Sequence, residues 1–153
     1  LEVNGVEVGQ GPMVLTWLAD GTFQGALDVP LAHVQALALT GEGSLWVGGV
    51  DAAGQAQLRA MGVDATQSID VPSVTDLTAG VASSLYVTGV TSGAFDVGQG
   101  PVVVDGGYAA RYDGDTGAAD WFVPLNDAGP SPRIARTHQG VVSGGNRLAP
   151  LDD

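Results

Sequence analysis

The feature that most constrains this chain is that it repeats itself. Ser44-Leu45-Trp46-Val47-Gly48-Gly49-Val50 returns as Ser84-Leu85-Tyr86-Val87-Thr88-Gly89-Val90, and more loosely as Gly140-Val141-Val142-Ser143-Gly144-Gly145. Val6-Glu7-Val8-Gly9-Gln10-Gly11-Pro12 returns as Phe95-Asp96-Val97-Gly98-Gln99-Gly100-Pro101, and Val29-Pro30-Leu31 returns as Val123-Pro124-Leu125, with a cousin at Val71-Pro72-Ser73. A unit of roughly 40 to 55 residues, rich in alternating apolar residues and glycine, has the length and texture of one four-stranded blade of a β-propeller.

Sliding the repeats against one another yields a strand inventory. Residues 34–40 alternate with period two, Gly41-Glu42-Gly43 turns into 44–50, Asp51-Ala52-Ala53-Gly54 turns into 55–61, and 68–71 completes a unit. The next unit reads 75–79, 84–90, 108–113 and 120–125, with an excursion over 91–107 lengthening the hairpin between its second and third strands. The expected organisation is a single segment over 1–153, divided into a partial blade (1–31), two blades (32–73 and 74–128) and a second partial blade (129–153). Strands at 13–19 and 23–31 precede the first full unit, and strands at 134–137 and 141–145 follow the second. The fold class expected is all-β, about three blades' worth of four-stranded antiparallel sheets. Natural rings take about 4 to 8 blades, so the ring is expected to be completed by more chain or by a second copy in a homodimer.

Composition agrees with strands joined by tight turns: 44% of residues are apolar, 14% charged, and 24 are glycine. Apolar stretches break well before the length of a membrane-spanning helix. The start at Leu1 has neither an initiator methionine nor a basic, then apolar, leader, as expected of a processed chain or a piece of one. Seventeen acidic residues against five basic ones give a net charge of -12, a surface that repels phosphate backbones and anionic lipid. Nucleic acid and membrane insertion are therefore not expected, and the charge suits solubility, cation binding or salt-rich surroundings; the partner expected of the chain as a binding module is a protein or glycan ligand. With no cysteine, disulfides and thiolate metal sites are excluded.

The hairpin Leu85-Tyr86-Val87-Thr88-Gly89, then Phe95-Asp96-Val97-Gly98 and Gly106-Gly107-Tyr108-Ala109-Ala110-Arg111-Tyr112-Asp113, resembles the bacterial secreted beta-propeller repeat known as SBBP. The resemblance covers one unit well and the others in part, and implies a location outside the cytoplasm, extracellular or in the cell envelope. Asp113-Gly114-Asp115-Thr116-Gly117-Ala118-Ala119-Asp120-Trp121 resembles the blade-closing segment of quinoprotein-type propellers, whose tryptophan docks one blade on the next. The positions aligned with Trp121 in the other units are Leu27 and Ile69, and nothing matches a quinone site. Trp17, Trp46, Tyr86, Tyr112 and Trp121 are expected to wedge between blades.

Candidate chemistry is sparse. Asp113 and Asp115 flank a glycine on a turn, the type of hard-oxygen cluster that calcium favours, although Asp and Gly are also what a tight hairpin turn requires. Calcium is the one cofactor these residues suggest. His33 and His138 have no second histidine at ligand spacing. Ser83, Ser84 and Ser143 lack a nucleophile-elbow context, and no catalytic residue is assigned. Gly9-Gln10-Gly11-Pro12 and Gly98-Gln99-Gly100-Pro101 precede no helix and read as hairpin bends. The function expected is a non-enzymatic extracellular binding or assembly module, with the 91–107 hairpin as its most distinctive projection. The alternatives are part of a propeller enzyme, such as a lyase or glycosidase, and a structural subunit of a surface layer or fibre.

Overall fold

The computed structural model describes residues 2–3, 6–7, 11–62, 67–97, 100–125, 132–137, 140–144 and 148–151. Every regular element among them is a strand, and every pairing is antiparallel. Strands β1 (Glu2–Val3) and β2 (Val6–Glu7) make a short hairpin, and β3 (Met13–Trp17) pairs with β4 (Phe23–Asp28). The first four-stranded meander runs β5 (His33–Leu39), β6 (Leu45–Val50), β7 (Ala56–Met61), β8 (Ser68–Asp70) in chain order. The second runs β9 (Asp76–Ala79), β10 (Ser84–Asp96), β11 (Pro101–Asp113), β12 (Ala119–Leu125). A three-stranded sheet follows, from β13 (Arg133–Thr137), β14 (Gly140–Gly144) and β15 (Leu148–Leu151).

Period-two alternation explains why these segments stay sheets. Trp46 and Val47 are neighbours on β6, point to opposite faces and are both buried, so the first meander is covered on both sides at β6. Val47 packs with Val29, Leu31, Val14 and Met61, on the side of β3 and β4. Trp46 packs with Leu58, Ile69, Val74, Leu77 and Leu85, on the side of the second meander. Tyr86, the counterpart of Trp46, packs in turn with Ile134 of β13 and with Trp121. The sheets thus stack face to face in chain order, and their first strands are neighbours: β5 lies against β9, and β9 against β13.

The expected lengthening of the hairpin between the second and third strands is present: residues 91–96 and 101–107 continue the β10–β11 ladder, which runs unbroken from Ser84↔Asp113 to Asp96↔Pro101. Two expectations are corrected. The chain after the second meander holds a third strand, β15, pairing with β14 from Val141↔Leu151 to Gly144↔Leu148. Pro150 hides it from the sequence pattern, since proline is tolerated in a strand only at an edge, which is where β15 lies. Of the five aromatics, Trp46, Tyr86 and Tyr112 are buried and Trp121 is half-buried, but Trp17 is 49% exposed, its ring edge-on to Phe23 of its own hairpin. Tyr108, outside that set, is fully buried and stacked on Phe122 with centroids 4.7 Å apart.

Candidate functional site

The turn from β11 to β12 carries the acidic pair. Asp113 Oδ1 accepts the backbone N–H groups of Asp115 at 2.8 Å and Thr116 at 2.9 Å, while its own N–H donates to the Ala118 carbonyl. These donors, the Thr116 N–H first, hold the Asp113 carboxyl below its ordinary value. Gly117 closes the turn at φ +75°, a conformation a side chain would strain. Asp115 points elsewhere: its Oδ2 accepts the Ser83 hydroxyl at 2.9 Å, and its carbonyl accepts Gln67 Nε2, tying the turn to both meanders.

The same device closes β6 onto β7. Asp51 Oδ1 accepts the N–H groups of Ala53 at 2.8 Å and Gln55 at 2.9 Å, with Gly54 at φ +82°. Asp113 is therefore built like the anchor of a tight hairpin turn, its oxygen directed at backbone donors. Among the described residues no three carboxylate or imidazole side chains come together in a set fit to hold a metal ion. His33 is exposed at the start of β5, and His138, Gln10, Gly98 and Gln99 lie outside the described residues. Ser83 and Ser84 engage Asp115 and the guanidinium of Arg111.

A second feature was not assembled by sequence reasoning. A strand rises about 3.3 Å per residue, so Phe95, ten places along β10 from the partner of Tyr112, would stand about 33 Å from it on a straight ladder. Phe95 and Tyr112 nevertheless line one groove. The β10–β11 arm must bend, and Gly93 and Gly106, at φ +127° and +129° close together across the ladder, mark the place. The folded arm buries Val104 in the core beside Leu58 and Ile69. Beneath its tip lies a groove of about 630 Å³, walled by β8 and its exit (Ser68, Asp70, Pro72), by Gln55, and by Thr116 and Gly117 of the acidic turn. Two carboxylates, Asp70 and Asp96, and the Phe95 ring line it.

Tyr112 forms part of the groove wall. Burial pushes its phenol up to about 12, and its hydroxyl has no hydrogen-bond partner among the described residues. Tyr108 is raised for the same first reason, burial, although its hydroxyl donates to the Ser73 carbonyl. Arg111, between them on β11, lies over the Tyr86 ring at 5.9 Å and places Nε 3.1 Å from Asp120 Oδ2. No helix among the described residues is long and apolar enough to cross a membrane. Comparison of the chain with family models, with curated proteins and with solved structures finds no match.

Proposed function

We propose that the chain is a run of β-propeller blades that works as a binding module, with the groove beneath the β10–β11 arm as its ligand site. The observation that carries this reading is the groove itself: a strand pair folds back over its own sheet and its neighbour and leaves between them a cleft the size of a small-ligand site. Propeller stacking is supported by the order of the sheets and by their adjacent first strands. The lining suits a polyhydroxylated ligand. Phe95 offers an apolar face to the C–H side of a sugar ring, and Asp70, Asp96, Gln55, Ser68 and Thr116 offer acceptors and donors to its hydroxyls. The location proposed for such binding is outside the cytoplasm or in the cell envelope, as the resemblance to secreted bacterial propeller repeats implies.

A glycan array probed with the intact chain, beside the variants Phe95→Ala and Asp70→Asn, tests the site. Binding by the intact chain that falls about tenfold or more in each variant supports it. Binding indifferent to both variants moves the site elsewhere, and turnover of a glycan in a parallel hydrolase panel replaces the binding module with an enzyme.

A further inference from the structure

Leu37, Leu77 and Ile134 hold the same place in three successive sheets: the first strand, opposite Val47, Val87 and Ser143 of the second. Leu77 is 5% exposed and Ile134 6%, but Leu37 is 59% exposed, and Leu39 on the same face is 64% exposed. Leu77 is covered because β5 lies against β9, with Ala36 and Ala38 packed into the cluster that buries it. Ile134 is covered because β13 lies against β9, in a cluster with Tyr86 and Trp121. On the first meander β3 and β4 cover the same face only farther from β5, at Val47 and Met61.

We propose that this uncovered face of β5 is the seat for β13 and β14 of a second copy of the chain. The required contact is one that the molecule already makes twice within itself, β5 on β9 and β9 on β13. Its other half is also on display. Ala135 follows Ile134 as Ala38 follows Leu37; Ala38 is buried against the second meander, whereas Ala135 is exposed. Among the described residues no first strand covers Leu37 and Leu39 on β5, and the outward face of β13 at Ala135 is exposed.

A face four strands wide, with two places taken by β3 and β4, has room for two more strands. The arriving β13 and β14 fill them, and β15 then competes with the other copy's β3 for the outer edge of β14. The contact is head to tail, so two copies that satisfy each other close a ring, and copies that do not close it form a fibre.

The absence of cysteine gives a clean test on the full chain. Chains carrying Leu37→Cys and chains carrying Ala135→Cys are mixed under mild oxidation. The expected result is a disulfide-linked dimer in the mixture, formed well above the yield of either variant alone. Sedimentation should show the unmodified chain self-associating, and Leu37→Asp combined with Leu39→Asp should weaken that about tenfold or more, with an unchanged melting temperature in protein dilute enough to be monomeric, where both side chains are exposed. Three results would overturn the proposal: an unmodified chain that stays monomeric to its solubility limit, cross-linking by Leu37→Cys alone as fast as in the mixture, or association untouched by the Asp pair.

Discussion

The two meanders place different chemistry at the same register. Gly48 and Thr88 are equivalent: each lies on the second strand, opposite Ala36 and Asp76 respectively, and faces the segment that leads into the next sheet. A Cβ on Gly48 would stand 2.8 Å from Val74 Cγ1, so the first junction closes by direct apolar contact at this place. At the second junction Thr88 Oγ1 donates to the Pro132 carbonyl at 3.0 Å, and Asp76 Oδ2 accepts the Ile134 N–H at 3.1 Å. At this register the first junction closes on apolar contact and the second on hydrogen bonds, although the strands around both pair in matching register. The repeat therefore fixes where sheets meet and leaves open what holds them together.

The largest effect expected of this comparison comes from its most unequal pair. Leu77→Ala should cost about 2–5 kcal/mol, the range for emptying a buried leucine site. Leu37→Ala, in dilute monomeric protein, should stay within about 0.5 kcal/mol. Urea unfolding of the two variants measures both, and equal losses would break the equivalence from which the open face of β5 is inferred.

Next come the junctions themselves. Gly48→Ala forces the new methyl into Val74 and should cost about 1–3 kcal/mol. Thr88→Val leaves the Pro132 carbonyl without its donor and should cost a similar 1–3 kcal/mol or so. Hydrogen exchange separates the two mechanisms. Thr88→Val should speed exchange at Ile134 and its β13 neighbours, while Gly48→Ala should leave β13 as protected as before.

All three tyrosines belong to the second meander, which makes alkaline pH a selective probe of it. Burial raises both Tyr108 and Tyr112 above the ordinary 10.0, Tyr112 to about 12. A raised folded value means that stability is fully present below about pH 10 and is lost as pH climbs through the folded values. Melting temperature should fall over that window, and Tyr112→Phe should flatten the fall. At neutral pH the two phenols should part company. Tyr112→Phe removes a buried hydroxyl without a partner among the described residues and should be neutral or stabilising by up to about 1 kcal/mol, whereas Tyr108→Phe strips the Ser73 carbonyl of its donor and should destabilise by about that much.

Much of this architecture was legible in the residues. The Ser-Leu-aromatic-Val repeat located β6 and β10, and the glycine-marked turns located the ends of β7 and β11, because period-two alternation and turn chemistry are local. What stayed hidden is what depends on partners far along the chain. Trp121 lies opposite Arg111, and counting along the first meander places Gln67, opposite Ala60, at that position rather than the Ile69 that sequence alignment suggested. The bend of the β10–β11 arm was written in Gly93 and Gly106, but its direction is set by the core that Val104 enters, which no local pattern encodes. The groove followed from that bend, so Phe95, Asp96 and Asp70 carried no signal as a set. The exposure of Leu37 was equally invisible, since it shares its residue type with the buried Leu77.

The smallest expected effect tests whether Asp113 belongs to a turn or to a metal. Asp113 and Asp51 each cap two backbone N–H groups beside a left-handed glycine, one in each meander. If the turn is the role, Asp113→Ala and Asp51→Ala should lose similar, small amounts, about 0.5 kcal/mol each once solvent screening of these accessible sites is allowed for. The depressed carboxyl of Asp113 contributes stability above the ordinary 3.8 and gives it up as pH falls through the folded value. The acid limb of the melting curve should therefore be slightly shallower in Asp113→Ala than in the parent. Calcium decides between the roles. A turn anchor leaves melting temperature the same with or without the ion, in parent and variant alike, because its oxygen is already directed at two N–H groups. A calcium-dependent rise that vanishes in Asp113→Ala would assign the pair Asp113 and Asp115 to the metal, and the matched turn at Asp51, which lacks a second carboxylate two residues on, would then be the control that shows why.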